Sequence, residues 1–592
     1  FKSKNRELMN KKLKRIIHQT DLCVIGGGLS GICAAISAAR HGAKTVLMHD
    51  RPVLGGNSSS ECRMHVCGAD RHNSIKNMRE TGLLEELRLE NLHFNPQRSF
   101  SIWDTVLYDK VKAEKNIELL LNCSCLDAKM NGNEIISVTG WQMTTETVQE
   151  IKAKMFVDCS GDGILAPLTG AEFRMGREAR SEHNESIAPE KADYRTMGMT
   201  CMFQAKEFDS FQPFIPPSWS EKFADCNDLP CGKNGHSWIE MGYWWIELGE
   251  EDSIHGTEKT RDELLKIVFG IWDHIKNHCP NKEKAKNWAL DWIQFLPAKR
   301  ESRRFVGDYI LTQNDIESGG IFEDVIAYGG WSMDDHNMLG FKAVKQGEPP
   351  TIFHHAPSPY GIPYRCLYSK NIKNLMFAGR NASCTHAAMS STRVMGTCAV
   401  MGQAVGTAVS IAVEKNLYPR DVLNYIHLLQ KLLLDDDCYL PGISNRYSEN
   451  VKKAKLSASA GNPEPVRDGI TRPVGNNLHR WDCTVGDWIQ YEFDNRLMIN
   501  EITIVFDSAL EQNIALSRLQ KDNQLNKTPF CLVKDFSIYT KKSGQWNLLH
   551  DVKDNYLRLI NLLVKQDVEG VRLCIKSAHR NQDSGVYALF FN

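Results

Sequence analysis

The stretch Asp21-Leu22-Cys23-Val24-Ile25-Gly26-Gly27-Gly28-Leu29-Ser30-Gly31 decides how this chain is read. Its first five residues form a short apolar run that ends in glycines, the pattern of a buried parallel strand. Residues 32–40 are Ala-rich and free of Gly and Pro, which suits a helix that Gly42 stops. Thr45-Val46-Leu47-Met48 is a second buried strand. A right-handed crossover puts both strands in one parallel sheet. Gly26, Gly28 and Gly31 fit G-x-G-x-x-G in the required context, after a strand and opening a helix. Gly26 permits the tight turn, Gly28 lets a pyrophosphate approach the backbone, and Gly31 lets the helix lie close to the strand. The helix begins at Leu29 and Ser30, where free N–H groups and the helix dipole favour phosphate. An acidic partner for the ribose is expected at the end of the second strand. By spacing that position is His49; Asp50, one step on and followed by Arg51, is the preferred partner.

At 592 residues the chain has room for several domains. Its 42% hydrophobic and 24% charged residues are ordinary for a globular protein. A formal net charge of -1 gives no global basic field, which argues against nucleic acid as a partner. Residues 1–20 are set apart as a basic arm, with Lys2, Lys4, Arg6, Lys11, Lys12, Lys14 and Arg15 against Glu7. No uninterrupted apolar run approaches the ~18 residues of a bilayer span, so an integral membrane protein is not expected. The chain starts at Phe1; a removed signal peptide would make it periplasmic or secreted, and otherwise it would be cytoplasmic. The 18 cysteines are scattered: Cys62 and Cys67 are five apart, as are Cys226 and Cys231, and no C-x-x-C occurs. Paired zinc motifs and iron–sulfur runs are therefore absent, and no metal is expected. Cys23, Cys33 and Cys398 lie in apolar stretches and read as buried free thiols.

Further along, 75–92 reads as helix and 117–139 as strands turning at Asn131-Gly132. Met155-Phe156-Val157 is another apolar strand, leading into Asp158-Cys159-Ser160-Gly161-Asp162-Gly163. Residues 190–350 differ in texture, with aromatic clusters such as Tyr243-Trp244-Trp245 and an amphipathic stretch at 260–278. The strand-then-glycine pattern returns at 374–379, and 394–413 reads as a helix packed closely on a sheet or ligand. From 452 onward short alternating runs (488–493, 502–506, 536–540, 571–575) suggest a β-sandwich.

Residues 51–61 (through Gly55-Gly56-Asn57-Ser58), 158–163, 378–381, 391–397 and 401–406 resemble the FAD-dependent oxidoreductase family related to the flavin portion of heterodisulfide reductase. The resemblance takes in 175–178, 300–304, 328–331 and 359–365, and spans roughly 20–415. It implies an α/β fold: a Rossmann-like FAD-binding domain in two parts (21–189 and 351–440) with an inserted α+β substrate domain (190–350). It also implies FAD as cofactor. Gly55, Gly56, Asn57 and Ser58 would lie beside the flavin, and Gly161 and Asp162 near the nucleotide. Gly379 and Arg380 would approach the pyrophosphate–ribityl stretch. Met395, Gly396 and Thr397 would aim a helix N-terminus at the flavin pyrimidine edge, where reduced flavin carries negative charge. The iron–sulfur clusters of the heterodisulfide reductase relatives are not expected here. Residues 452–592 resemble galactose-binding-like (discoidin-type) sandwiches through 467–469, 480–482, 488–493 and 536–539, with Trp488 and Tyr491 read as packing.

Catalysis beside a hydride acceptor needs groups that move protons. His386 and His65 are the first candidates, since both adjoin flavin-contacting segments; Arg393, His336 with Asp334 and Asp335, and Arg304 with Arg303 follow. Cys62 and Cys67 read as inert thiols. The expected function is an FAD-dependent oxidoreductase moving a hydride between a small-molecule substrate, with a carbohydrate alcohol as candidate, and the flavin. Two alternatives stand: a glycan-adhesion protein with a non-catalytic flavin fold, and a flavin reductase served by an electron carrier.

Overall fold

The computed structural model describes residues 13–229, 239–240, 246–249, 252–515, 524–580 and 583–592. The Tyr243-Trp244-Trp245 cluster and most of the basic arm lie outside them. The first strand is longer than the apolar run suggests. β1 covers Lys14–Ile25, so residues 14–20 belong to the sheet and not to an arm. The polar half escapes the apolar-run reading because its side chains are half-exposed while its backbone pairs with residues 147–153.

β1 leads through helix α1 (Leu29–Arg40) to β2 (Thr45–Met48). Helices α2 (Leu83–Phe94) and α3 (Phe100–Ala113) follow, then β3 (Ile117–Leu120), β4 (Cys123–Asn131), β5 (Glu134–Gln142) and β6 (Thr147–Asp158). Helix was expected from residue 75, but it starts only after Gly82, whose φ of 73° turns the chain into α2. β7 (Leu375–Phe377) returns much later to join the same sheet. The order is β3-β2-β1-β6-β5-β4, with β7 on the C-terminal half of β6. β1 runs parallel to β2 and to β6, while β4 and β5 form an antiparallel hairpin. Chain order reverses at β1, so a crevice opens at its C-terminal end, where such sheets bind ligands. Leu22 and Val24 pack into one core and Cys23 and Ile25 into another, as befits a strand buried on both faces.

After β7 come α4 (His386–Thr392) and α5 (Met395–Lys415). α5 lies against α1 so closely that a Cβ on Gly402 would stand 2.1 Å from the Ser30 carbonyl oxygen. Among the described residues α5 is the one helix long and apolar enough to cross a bilayer, but 94% of that window is buried inside the protein. Scattered Thr, Ser, Gln and Gly residues hide this from a search for unbroken apolar runs.

The region between β6 and β7 holds a separate small core. Helix Thr257–Asp273 packs Leu264, Val268, Ile271 and Trp272 against Phe203 and Phe223. Short antiparallel pairs complete it, among them Phe203–Glu207 with Trp288–Ile293. Leu311, Ile316, Ile326 and Met333 pack instead into the first domain's core.

The C-terminal region is an antiparallel sandwich. Its strands are β8 (Lys455–Ala458), β9 (Trp481–Thr484), β10 (Trp488–Phe506), β11 (Val533–Lys542), β12 (Gln545–Val552), β13 (Leu559–Ala578) and β14 (Asp583–Phe591). The order is β9-β14-β10-β13-β11-β12, with β8 on β10. Register breaks between Glu492 and Leu497 let the long β10 and β13 bend around a core of Trp481, Tyr491, Phe506, Phe536 and Phe590. This sandwich is joined to the first domain by buried charge. The Arg79 guanidinium donates to Glu85 (2.9 and 2.7 Å) and to the Ser508 and Ala509 carbonyls (both 3.1 Å), while Ser508 Oγ donates to Glu85 (2.7 Å). Breaking a buried pair strands its partner's charge, which costs about 3–5 kcal/mol. Arg79→Met is expected to lower unfolding stability by that order in denaturant titration, and Arg79→Met with Glu85→Leu to recover part of it. An Arg79→Met protein as stable as the parent would show that the junction contributes nothing.

Candidate active site

The glycine loop lies at the C-terminal end of β1, as the switch-point rule requires. Gly26 has φ of +105°, and a Cβ there would meet the Cys159 carbonyl oxygen at 2.3 Å; at Gly31 it would meet the Gly26 carbonyl oxygen at 1.8 Å. Gly28 differs: a Cβ there would meet nothing within 4 Å. It is also the N-cap of α1 and supplies no side-chain cap, so this helix end faces open space. The second glycine loop is tied to the first, with Gly55 N–H donating to the Gly27 carbonyl (2.8 Å).

His49 holds this loop together. Its Nδ1 accepts from Gly27 N–H (2.9 Å), which puts the proton on Nε2, facing the Val53 carbonyl (3.1 Å). Burial lowers its pKa and keeps it neutral. Both ring nitrogens of His49, expected at the ribose position, thus face protein partners. Asp50 is exposed beside it, and Arg51 pairs with Glu61 (3.0 Å).

A cavity of about 490 Å³ is lined by Asn57 from the second loop, Arg380 from the turn after β7, and Val394 and Met395 at the N-terminus of α5. Val394 provides no side-chain cap for that helix. Ser58, Gly161, Asp162, Gly379, Gly396 and Thr397 do not line the cavity but flank those that do. Ser58 Oγ donates inward to the Gly55 carbonyl (2.9 Å), and Asp162 pairs with Lys299 (2.7 Å) and Arg380 (3.2 Å). Burial alone would raise the Asp162 carboxyl, but Arg380 and Lys299 hold it below the usual range. Three buried polar atoms around this space have no protein partner: Arg380 Nη1, Arg393 Nε and Thr397 Oγ1. Open Gly28, an α1 N-terminus without a side-chain cap and these atoms are what an extended dianionic dinucleotide needs.

The rest of the cavity carries proton-handling groups. His65 Nε2 and His72 Nε2 are 3.2 Å apart, and Cys67 Sγ lies 3.6 Å from His72 Nε2. Burial, and then His72, push the His65 pKa down to about 3, and burial lowers His72 as well. The pair is therefore neutral near pH 7, with a single proton between the facing nitrogens. Arg71, His72 and Asn73 are all left-handed (φ 48°, 53° and 68°), a costly run for non-glycine residues that fixes His72 against His65. Nothing in the local sequence announces that turn, and His72 is the functional candidate that sequence reasoning missed. His336 lines the same cavity; its Nδ1 faces Glu247 (2.8 Å) and its Nε2 faces Asp334 (3.1 Å). Arg300 also pairs with Glu247 (2.8 Å), and Arg393 donates to the Asp334 carbonyl (3.0 Å). Burial would raise Asp334, but His336 and Arg393 keep it well below the carboxylate range. Burial pushes the Cys62 and Cys67 thiols up to about 12, so both stay protonated.

Two expected catalytic residues sit elsewhere. His386 and Arg304 do not line the cavity; they form a buried ionic network behind it. His386 Nδ1 faces Glu301 (2.8 Å) and Nε2 faces Asp335 (3.2 Å), while Arg304 holds Glu178 (2.9 Å) and the Cys384 carbonyl (2.9 Å). Burial alone would lower the His386 pKa from 6.5, but Glu301 and Asp335 outweigh it and push it up to about 10. His386 is thus held in its protonated form at neutral pH by Glu301 and Asp335. Its folded pKa exceeds the unfolded value, so its stabilisation is complete below pH 6.5 and is lost as pH rises towards about 10. Unfolding free energy is expected to fall across that window, and His386→Asn to flatten the fall. Equal slopes in the two proteins, by denaturant titration at stepped pH, would contradict this.

A mixed sheet of this order, with a glycine loop at its switch point and the start of α5 lining the adjoining cavity, defines a dinucleotide-binding scaffold. Residues 21–433 match the family described as FAD dependent oxidoreductase, and the chain belongs to that family. Its cofactor is FAD. Among curated proteins no match was found. Of solved structures, a geranylgeranyl bacteriochlorophyll reductase-like protein from Thermoplasma acidophilum is similar at 12% identity over 71% of this chain and 86% of that one (TM-score 0.33). The family 32 carbohydrate-binding module of EndoD from Streptococcus pneumoniae is similar at 14% identity over 24% of this chain and 99% of the module (TM-score 0.19).

Proposed function

We propose that the enzyme oxidises a small substrate, with a carbohydrate alcohol as the class, by moving a hydride from its carbinol carbon to the flavin. The observation that carries this is the cavity itself. It joins the expected flavin-contacting set of Asn57, Arg380 and Met395 with the His65–His72 pair, His336, Arg300 and Arg393. FAD, when bound, supplies a two-electron acceptor. On this reading the 26–31 loop, with Leu29 and Ser30 opening α1, holds the pyrophosphate and Asp50 holds the ribose. Gly55, Gly56 and Asn57 border the ring system with Ser58 bracing the loop, Gly161, Asp162 and Gly379 border the nucleotide, and Gly396 and Thr397 carry the end of α5.

Hydride loss from an alcohol requires that its hydroxyl proton also leave. On this reading the His65–His72 pair, neutral near pH 7, takes up that proton. Arg393 and Arg300 donate to substrate oxygens, and the Glu247–His336–Asp334 row fixes their guanidinium groups. Trp331 and Phe353 add apolar faces of the kind that sugar rings stack on, among polar groups that set orientation. The galactose-binding-like segments of the sandwich support the carbohydrate class, and glycan binding by that domain belongs to the same proposal. A closer kinship with the flavin portion of heterodisulfide reductase belongs to the same proposal and rests on the motif resemblance alone.

The test is anaerobic mixing of the flavoprotein with a panel of sugars and polyols. Bleaching of the flavin by members of the panel is expected. Bleaching by reduced electron carriers alone would favour the carrier-dependent reductase, and no bleaching at all would favour a non-catalytic flavin fold.

A further inference from the structure

We propose that Cys226, His274 and Cys279, none of which lines the flavin cavity, form a structural zinc site in the region between β6 and β7. Their ligand atoms all lie within 4.8 Å of one another, and all three residues are buried. Zinc bonds of about 2.3 Å to sulfur and about 2.0 Å to nitrogen, at tetrahedral angles, set an S···N separation of roughly 3.5 Å. Cys226 Sγ and His274 Nε2 are 3.5 Å apart.

The surroundings prepare these atoms for a cation. His274 Nδ1 faces the Phe223 carbonyl at 2.9 Å, and a carbonyl can only accept. The proton is therefore on Nδ1, and the Nε2 lone pair points at the thiols. This outer hydrogen bond is the one that orients metal-bound histidines. Cys279 Sγ accepts the Asn281 backbone N–H at 3.2 Å, an outer contact that orients the sulfur.

The backbone brings the ligands together by an unusual device. Residues five apart diverge on an α-helix, where i and i+4 share a face. Here helix Thr257–Asp273 ends in a π-helical turn, His274–His278, and Cys279 N–H donates to the His274 carbonyl (2.7 Å). That wider turn puts His274 and Cys279 side by side, and π turns recur at functional sites. Cys226 comes from a distant segment, at the start of the 3-10 turn Cys226–Asp228 that Asp225 caps.

Two cysteines and a histidine supply three of four tetrahedral positions, a soft sulfur and imidazole set that selects zinc over harder cations. Binding converts two thiols to thiolates and releases two protons as two Zn–S bonds and one Zn–N bond form. Burial of all three ligands bars substrate, so the role is a staple that joins the helix end to the 226–228 turn.

The test uses the full chain purified without added metal. Elemental analysis is expected to find about one zinc per chain, lost in Cys279→Ser and in His274→Ala and kept in His72→Ala. Cobalt exchanged into the parent protein should show a thiolate-to-cobalt charge-transfer band. Should the variants fail to fold, titrating the parent with a mercurial decides the matter: zinc release in step with thiol modification supports the site. A parent protein that neither carries nor takes up zinc overturns the proposal. So does full zinc retention in Cys279→Ser, or a Cys226–Cys279 disulfide found by mass spectrometry.

Discussion

Gly28→Glu is expected to give a folded protein that has lost its flavin. Gly28 has φ of -69° and ψ of 177°, an extended conformation open to any residue. A Cβ there touches nothing within 4 Å, so the chain itself tolerates the change. The open space is where the pyrophosphate must meet the helix end. A carboxylate set about 4 Å from a phosphate, at an effective dielectric of about 20, costs about 4 kcal/mol. That is roughly a thousandfold in affinity, before the lost space is counted. Flavin absorbance per chain should fall to background while circular dichroism and the unfolding transition stay near the parent's. Gly31→Val is the contrasting variant: its Cβ would stand 1.8 Å from the Gly26 carbonyl oxygen, so it should damage folding as well as binding. Full flavin content in Gly28→Glu would remove the loop from the cofactor site.

His65→Ala is the second large effect. It removes half of the neutral imidazole pair proposed to take the substrate proton. General bases of this kind contribute about 10²–10⁴-fold. Flavin reduction in the anaerobic assay should slow by that order, with FAD content unchanged. The pH profile adds an independent sign. Burial, and then His72, hold His65 near 3, and burial lowers His72 below its ordinary value as well, so both rings are neutral near pH 7. No histidine protonation limb near pH 6.5 is therefore expected in the parent enzyme. A rate that falls below that pH, with His65→Ala fully active, would move the base elsewhere.

What was legible in the sequence was local. The strand at 21–25, the glycine loop and the second strand could be read because apolar runs and glycine spacing act over a few residues. The 55–58 loop and the Arg380 turn, proposed to border the flavin, came from ordered motifs. Long-range geometry was hidden. His386 looked like a base because nothing near it shows that Glu301 and Asp335 close on its ring, from 85 and 51 positions away. His72 was passed over because its role depends on three successive left-handed residues. His49 fell at the ribose position by spacing, yet its ring braces the Gly27 N–H. The Cys226, His274 and Cys279 cluster escaped a search for C-x-x-C because a π turn and a 48-residue separation assemble it.

The most direct measurement is the visible absorbance spectrum of the purified full chain, followed by identification of the released cofactor. The account predicts flavin bands, and about one FAD per chain after denaturation. A folded protein without those bands, which gains none on incubation with FAD, would contradict it.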